Sequence, residues 1–419
     1  MRHFKLIIFL FFISSATLLA QNRYDFASTY FGLEAEYIHE TSSFSHLDKL
    51  QQRQSSKLPS SVTPRFVIGG THFWDHADFY ISIPLKNLRL NGSNKAFTSN
   101  EVFTAFRFLP IRSEKKRASP FLGVGFNSKN FKLKTDIGKS QLYSNWQWYP
   151  EAGISYRNEK NRIFELSVRY FGQNEYNNFI DRNVQVNTMV SPWSFSFVYK
   201  KIIDFTAGYK SERAQAYVET MHEKAVTEKA LSGLSMGVGL NALIPLGKTE
   251  LASRHPFFND VIEGGIGPDI GVGYYFHKLD GYLRASFRPL KQEEEAFDYK
   301  YSLNRNSLAI EAFKFLGDYH GFAPFVGPFV SMDHYHLSET DAGRKVIDHK
   351  ESDVAFGLVF GWDIRQTSTD YLILRTNLRY IPELSNMYNG YKFTAAQLEF
   401  NFIQIVFYPE RYKLHKRKS

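Results

Sequence analysis

Two histidines two positions apart, His334 and His336, have the spacing best suited to metal binding in this chain. Alternate residues of an extended strand lie on one face, so both imidazoles would project from the same side of segment 333–336. Neutral imidazole is a common ligand of divalent metals, and His349 follows in the same predicted loop. His334 and His336 are therefore candidate ligands, but an exposed polar loop is the simpler explanation, and we predict no metal and no cofactor.

A second group of titratable residues is formed by His72, Asp75, His76 and Asp78. A hydrolase would need a nucleophile or an activated water beside a histidine and a carboxylate, and this group contains the last two. The same residues also suit an ordinary polar turn between two strands. We therefore predict that the chain is not an enzyme, with a membrane-embedded hydrolase as the remaining alternative.

The glycine-rich segment 265–273 contains Gly265 and Gly267 in the spacing of some phosphate-binding loops. Those loops bind phosphate at the N-terminus of a following helix, and no helical pattern follows here. Close packing between neighbouring strands is the interpretation we adopt.

Charged residues that alternate with apolar ones are the most informative chemical feature. In segment 163–171, Glu165 and Arg169 share one face, and Phe164 and Leu166 share the other. Similar alternation elsewhere assigns a set of charges to an inward face. The predicted inward residues are Glu34, Glu36, Arg107, Glu151, Arg157, Glu165, Arg169, Arg284, Arg288, Arg375, Arg379 and Glu399.

Two functions are open for these inward charges. They could line a water-filled pore and set its ion selectivity, or they could form interior salt bridges that stiffen a closed structure. Arginine outnumbers acidic residues among the inward charges of the second half, so a pore would be expected to prefer anions. Exchanging Arg375 and Arg379 for glutamate would then reverse that preference.

The elements that carry these charges are predicted to be β-strands, because period-two alternation dominates and helical periodicity is nearly absent. A soluble β-sandwich alternates in the same way, so connection lengths are needed to decide. Short links near 277–279, 317–321 and 364–369 alternate with long ones. Segregation of tight turns and long loops to opposite ends is typical of an outer-membrane barrel.

Composition excludes several other classes of protein. The chain has 419 residues, of which 43% are hydrophobic, with 39 Phe and 25 Tyr. Its mean hydropathy of −0.34 excludes a polytopic helical membrane protein. The absence of Cys excludes disulfide scaffolds and thiol catalysis. A net charge of +9 without a concentrated basic stripe gives no reason to expect nucleic-acid binding.

The chain divides into two similar halves after an N-terminal export signal. Residues 1–20 combine Arg2 and Lys5 with an apolar run too short to span a membrane, which predicts a cleaved signal peptide. Segment 102–109 is echoed by 309–316, and each is followed by a strand beginning Pro-Phe. We interpret these matches as a tandem duplication, although barrel strands also resemble one another by composition.

These boundaries predict an all-β, transmembrane, antiparallel up-and-down barrel. The predicted parts are a signal peptide at 1–20, a first barrel half at 21–209, a periplasmic linker at 210–231, a second half at 232–408 and a basic C-terminal tail at 409–419. We expect one barrel of about sixteen strands, because joining two half-sheets removes every open edge. Two eight-stranded barrels in tandem are the alternative.

Several segments resemble the outer-membrane β-barrel families of Bacteroidota-type bacteria. They are the aromatic-rich signal, the strands beginning at Pro120 and Pro324, and the glycine string 265–273. The resemblance implies an integral protein of the Gram-negative outer membrane, whose partners are membrane lipid, the barrel-insertion machinery and other envelope proteins. A passive channel or uptake pore is the expected function. The alternative is a structural or accessory barrel of a secretion, assembly or surface complex.

Overall fold

The structure is a computed structural model, and it describes residues 26–416 with short gaps. The gaps are 40, 49, 59, 86–87, 90–95, 135–139, 173–174, 204–211, 248–249, 259–263, 319–320, 366 and 384–386. The predicted signal peptide at 1–20 lies outside the described residues.

The first half of the chain contributes thirteen described strands. They are β1 (Ser28–Ile38), β2 (Thr41–Leu47), β3 (Arg53–Leu58), β4 (Ser61–His72), β5 (Ala77–Pro84), β6 (Leu88–Arg89), β7 (Ala96–Phe108), β8 (Arg117–Lys134), β9 (Ser140–Arg157), β10 (Arg162–Tyr170), β11 (Glu175–Asp181), β12 (Val184–Met189) and β13 (Trp193–Ile203). Helix α1 (Glu212–Thr227) follows, inside the predicted linker.

The second half contributes ten described strands and two short helices. They are β14 (Gly233–Pro245), α2 (Leu251–Arg254), β15 (Ile266–Phe276), β16 (Gly281–Ala296), β17 (Tyr299–Phe315), β18 (Phe322–Asp341), β19 (Arg344–Ile364), β20 (Leu372–Ile381), β21 (Met387–Tyr388), β22 (Tyr391–Lys392), β23 (Gln397–Phe407) and α3 (Pro409–Lys416). No helix in the described part of the chain has both the length and the apolar character of a membrane-spanning helix.

The first half closes into a barrel of its own. β1 pairs antiparallel with β4, the next barrel strand after the β2–β3 hairpin, and also with β13, the last strand of that half, from Thr29 opposite Ile203 to Ile38 opposite Ser194. The described ring runs β1, β4, β5, β7, β8, β9, β10, β13 and returns to β1. It therefore contains eight antiparallel strands and no open edge.

The second half closes in the same way. β14 pairs with β15 on one side and with β23 on the other, from Met236 opposite Phe407 to Pro245 opposite Gln397. The prediction of one barrel of about sixteen strands is therefore wrong for the described residues, and the alternative of two eight-stranded barrels agrees with the pairing. Closing each half on its own also satisfies every strand edge, so edge removal did not favour the larger barrel.

Side-chain burial in both barrels is the reverse of that in a water-soluble protein. On β10 the outward Leu166 is 65% exposed, whereas the inward Arg169 is fully buried. The same inversion holds on β19, where Phe356 is 66% exposed, and on β14, where Val238 is 60% exposed. Apolar residues thus form the outer surface, and charged residues fill the interior.

Turns and long loops lie at opposite ends of the barrels. At the end that carries α1 and α3, the β15–β16 and β4–β5 connections are short, and the left-handed residues Phe73, Trp74, Asp75 and Asp280 form their bends. At the other end lie the β2–β3 and β11–β12 hairpins and the projecting halves of β16 to β19. A two-residue turn at Ala342-Gly343, with positive φ at both positions, joins β18 to β19.

The glycine string of β15 makes room for large inward side chains. A Cβ atom on Gly271 would lie 2.6 Å from the Arg284 guanidinium, and one on Gly273 would lie 2.6 Å from the Tyr282 ring. The prediction of close strand packing at 265–273 is therefore confirmed, and the segment forms a strand rather than a loop before a helix.

The internal match between the halves holds only in part. Arg169 and Arg379 both occupy the seventh strand of their barrels, and both point inward. The longest match, 102–109 with 309–316, aligns residues of opposite orientation. Phe106 is 46% exposed on the outside, whereas its counterpart Phe313 is buried inside. This segment therefore matches by composition and not by position.

Candidate functional site: two charged interiors and a shared dome

The first barrel encloses an ion-pair network around Arg107. Its Nε and Nη2 atoms each lie 2.8 Å from a carboxylate oxygen of Glu151, and Nη1 lies 2.8 Å from Glu165. Lys200 donates to Glu165 and to Asp78, both at 2.9 Å. The network thereby joins strands β5, β7, β9, β10 and β13 across the interior.

Arg169 and Arg65 extend the same network towards β1. Arg169 donates to Glu34 at 2.7 Å and to Glu151 at 3.1 Å. Arg65 donates to Glu36 at 3.2 Å and also reaches the Ser82 hydroxyl at 2.7 Å. The paired side chains are 0–5% exposed, so no solvent-filled passage runs along these described residues.

The second barrel holds an equivalent network around Glu311 and Glu399. Arg379 donates to Glu311 at 2.5 Å and to Glu399 at 3.0 Å. Arg288 reaches Glu399 at 3.0 Å, and Arg284 reaches Glu311 at 3.2 Å. Four strands are tied together by five side chains, all of which are buried.

Two further pairs close the ends of the second interior. Arg375 makes a two-pronged contact with Asp363, at 2.6 and 2.8 Å, near the end that carries α3. Near the opposite end, Arg305 donates to Asp333 at 2.8 Å and also contacts Glu399. Such bidentate geometry is the strongest form of charged hydrogen bond, and it leaves little room for solvent.

The twelve predicted inward charges are thus accounted for. All except Arg157 are buried inside one of the two barrels. Arg157 lies at the end of β9, where its side chain is 13% exposed and donates to Asp75 at 2.9 Å and to Asn161 at 3.1 Å. Among the described residues, the inward charges bind one another and nearby polar groups, and the two networks do not meet because each barrel is closed.

Sequence reasoning missed several members of these networks. They are Arg65, Lys200, Asp269, Arg305, Glu311, Asp333 and Asp363 as inward partners, together with Asp78, which was assigned to a polar turn. The missed acids of the second half neutralise its arginines, so the expected excess of positive charge is wrong. Alternation in β17, where Ser307, Glu311 and Phe313 share the inward face, was the signal that could have identified Glu311.

His334 and His336 lie on one face of β18, as expected, but each contacts a residue of β19. The Nδ1 atom of His334 lies 2.7 Å from Ser352, and the Nε2 atom of His336 lies 2.6 Å from Asp348. Hydrogen bonds from Lys345 and His336 lower the pKa of Asp348 to about 2. Among the described residues, no three potential ligands lie close enough to hold a metal ion.

The His72 group does not form one site. Asp78 points into the first barrel, Asp75 binds Arg157 in the turn, and His76 contacts the backbone oxygen of Leu109 at 3.0 Å. His72 points to the outer side of β4. The histidine and carboxylate positions that hydrolysis would require are therefore separated.

Loops from both halves build a common apolar dome over the end of the barrels opposite α1 and α3. The first half supplies Phe44 from β2 and Phe179, Ile180 and Val186 from the β11–β12 hairpin. These residues pack with the inner faces of the projecting β17 and β18 and with the segment around α2. The contributions of the second half include Leu251, Phe257, Phe258, Tyr299, Tyr301, Leu303, Tyr335, Leu337, Ile347 and Phe393.

Polar contacts reinforce this dome. Arg182, in the β11–β12 turn, donates to Asp341 at 2.5 Å and to the backbone oxygen of Phe297 at 2.7 Å. Glu339 accepts a hydrogen bond of 2.5 Å from Tyr299. Burial alone would raise the pKa of Glu339, but its contacts with His255, Tyr299 and Arg254 outweigh burial and leave that pKa below its ordinary value.

Helices α1 and α3 cover the other end of the second barrel. Met221 and Ala225 of α1 pack with Leu414 of α3. Arg411 is buried beneath the barrel, where it donates to the backbone oxygens of Leu231 and Asp370. Its guanidinium also lies 4.0 Å from the ring centroid of Tyr408. The predicted linker and the predicted basic tail therefore pack together as a cover.

The family-model comparison gives no match, and no curated protein matches the chain. Solved structures give distant likenesses. Neisserial surface protein A shows 14% identity over 42% of this chain and 97% of its own, with a TM-score of 0.30. The attachment invasion locus protein Ail of Yersinia pestis shows 11% over 42% and 96%, with a TM-score of 0.27. An outer membrane channel from Pseudomonas putida F1 shows 9% over 91% and 95%, with a TM-score of 0.22.

Proposed function

We propose that this chain is an integral outer-membrane protein of a Gram-negative bacterium, in which two closed barrels anchor one extracellular dome. In this role it is a structural or accessory component of a surface, secretion or assembly complex. The observation that carries the proposal is the pairing of buried charges that fills both barrel interiors. The apolar outer surface and the dome supply the other two supports.

The outer surface supports a membrane location. Outward residues such as Leu122, Leu166, Val238 and Phe356 are more than half exposed and would form a large apolar surface in water. In a bilayer the same surface contacts hydrocarbon, and closed barrels satisfy their backbone hydrogen bonds internally. A soluble exported protein would have no comparable use for this surface.

A change in polarity along the strands supports an outer limit to the membrane-embedded part. On β16 the outward residues change from Leu283 and Phe287 to the charged Lys291 and Glu293. On β17, Leu308 and Ile310 give way to outward polar residues nearer the dome. The dome thus lies outside the apolar belt, and short turns at the other end suit the periplasm.

The filled interiors support an anchoring role over transport. An open pore would leave its lining side chains hydrated, yet the arginines and carboxylates here are almost completely buried and bound to one another. A passive, anion-preferring channel would need these pairs to separate. The hydrolase alternative has the least support, because its candidate residues lie in separate environments.

Planar-bilayer recording of the purified, folded protein tests this proposal. We expect no discrete conductance steps, because paired, buried charges fill both interiors along the described residues. The same preparation should show heat-dependent mobility on a gel, which verifies that the barrels are folded. Reproducible conductance steps, with a reversal potential under a salt gradient, would contradict the anchoring role and favour the channel function. Fractionation of cells into soluble periplasm would contradict the membrane location.

A further inference from the structure

The two barrels contact each other through part of their outer surfaces. Ile81 of β5, Ile244 of β14 and Phe400 of β23 point outward yet are at most 8% exposed, because each packs against the other barrel. The rings of Phe126 and Phe400 lie 6.3 Å apart across this contact. The barrels are therefore joined within the apolar belt as well as through the dome.

Beside this contact, towards the end that carries α3, the outer surfaces leave a cleft of about 520 Å³. One wall comes from β1, β4 and β5 and includes Thr29, Ile68 and Phe79. The other comes mainly from β20 and β23 and includes Leu372 and Ile405. This volume falls in the ordinary range for sites that bind small molecules.

The cleft is continuous with the apolar belt. Leu372 and Ile405 line it and are each 53% exposed, so it opens towards the surface that would face hydrocarbon. Most of its lining is aliphatic or aromatic, which disfavours water as its contents. An occupant must therefore present a hydrocarbon segment at this depth.

The end of the cleft nearest α3 is polar. His72 and His415 line it, and the described residues provide no hydrogen-bond partner for the buried Nδ1 atom of His72. Asp370 also lines this end, and its carboxylate accepts hydrogen bonds from Thr367. An apolar cleft with one polar end suits an amphiphile, whose head group can accept a hydrogen bond from the His72 ring.

We propose that this cleft binds one glycerophospholipid of the inner leaflet, with an acyl chain between the barrels and the phosphate beside α3. The site rests on the proposed membrane location, because only there is such a lipid the surrounding medium. It goes beyond the anchoring role, since it assigns a specific ligand to the space between the barrels.

Native mass spectrometry of the full, detergent-extracted protein, titrated with phosphatidylglycerol, tests the site. We expect one retained lipid per chain. Ile405→Trp, which fills the cleft, should lower retention about tenfold, which corresponds to about 1.4 kcal/mol. Ile270→Trp is the matched control, because Ile270 is 50% exposed on β15 outside the cleft and should retain lipid normally.

The polar end of the cleft gives a second readout. His72→Phe, which removes the ring nitrogens from the lining, should lower retention of phosphatidylglycerol, while fully folded protein is still recovered. Equal retention by Ile405→Trp and Ile270→Trp, or retention of detergent only, would overturn the site. Carbonate extraction of membranes separates the two proposals. A membrane-integral protein that retains no lipid contradicts only the cleft, whereas extraction into the soluble fraction contradicts the location and the cleft together.

Discussion

Arg169 and Arg379 hold the same position in separate barrels. Each lies on the seventh strand, is fully buried and bridges carboxylates from two other strands: Glu34 and Glu151 for the first, Glu311 and Glu399 for the second. Each arginine thus links three strands of its barrel across the interior. Removing either one would take a counter-charge from two buried carboxylates, which the other basic residues of the network compensate only in part.

Replacing Arg379 with alanine should strongly destabilise the second barrel. Removing one member of a buried ion pair typically costs about 3–5 kcal/mol, because the remaining charge stays buried without compensation. Urea unfolding of the refolded protein in detergent micelles measures this cost. Arg344→Ala, at an exposed strand end, is the control and should change stability by less than about 0.5 kcal/mol. Equal effects of the two substitutions would argue against a closed, paired interior.

Exchanging both Arg375 and Arg379 for glutamate distinguishes a closed interior from a pore. In a hydrated lumen the double variant would fold and reverse ion preference. In the paired interior it would place new carboxylates beside Asp363, Glu311 and Glu399, so we expect loss of the folded, heat-modifiable species. A gel-shift assay gives the result, and bilayer recording is informative only if folded protein is recovered. A folded variant with reversed selectivity would favour the channel.

The dome should loosen when acidified. Because the folded-state pKa of Glu339 lies below its ordinary value, this carboxylate stabilises the dome above its unfolded pKa of about 4.3. That contribution is lost as the pH falls through the lower, folded-state pKa. Hydrogen exchange, corrected for the intrinsic rate at each pH, should therefore report lower protection factors around α2 at low pH than at pH 7. Glu339→Gln should lose most of this difference, and an unchanged difference would assign it to other groups.

The contact between Arg182 and Asp341 should couple the two halves of the dome. The two side chains are 34% and 40% exposed. The pair is therefore expected to contribute about 0.5–1 kcal/mol, which is less than a buried pair contributes. A double-mutant cycle with Arg182→Ala and Asp341→Ala, read as exchange protection of the β11–β12 hairpin, measures the coupling. Additive effects would mean that the apolar residues alone hold the halves together.

Membrane topology can be tested cleanly because the chain has no native cysteine. Lys350→Cys places a thiol on the projecting part of β19, and Lys229→Cys places one just after α1; both positions are exposed. An impermeant maleimide added to intact cells should label the first variant and leave the second unlabelled. Permeabilising the outer membrane should expose both. The opposite labelling pattern would invert the proposed orientation.

The orientation of many inward residues could be predicted from the sequence because alternation is a local property. In β10, the pattern around Glu165 and Arg169 is enough to separate the two faces. Glu311 and Asp269 were missed although they obey the same rule, because their segments were interpreted as a repeat and as a glycine string. Single-residue register decides which face a charge occupies, and the longest repeat match was out of register by one position.

Barrel closure could not be predicted in the same way. It depends on whether β1 meets β13 or a strand of the other half, and both pairings would use the same backbone hydrogen bonds. The inter-barrel cleft was also unpredictable, since Ile405 follows the same outward alternation as apolar residues elsewhere on the barrel surface. The cleft forms only where the outer surfaces of two closed barrels pack side by side.

Joining two closed barrels has a mechanical consequence. A single barrel in a bilayer can rotate about the membrane normal, so the orientation of a domain attached to it is not fixed. Two cylinders in contact through Phe126 and Phe400, and bridged above by Arg182 and Asp341, form an elongated footprint that resists such rotation. If the proposed membrane location holds, a force applied sideways to the dome would be transmitted to the membrane as torque, because the two joined barrels resist rotation.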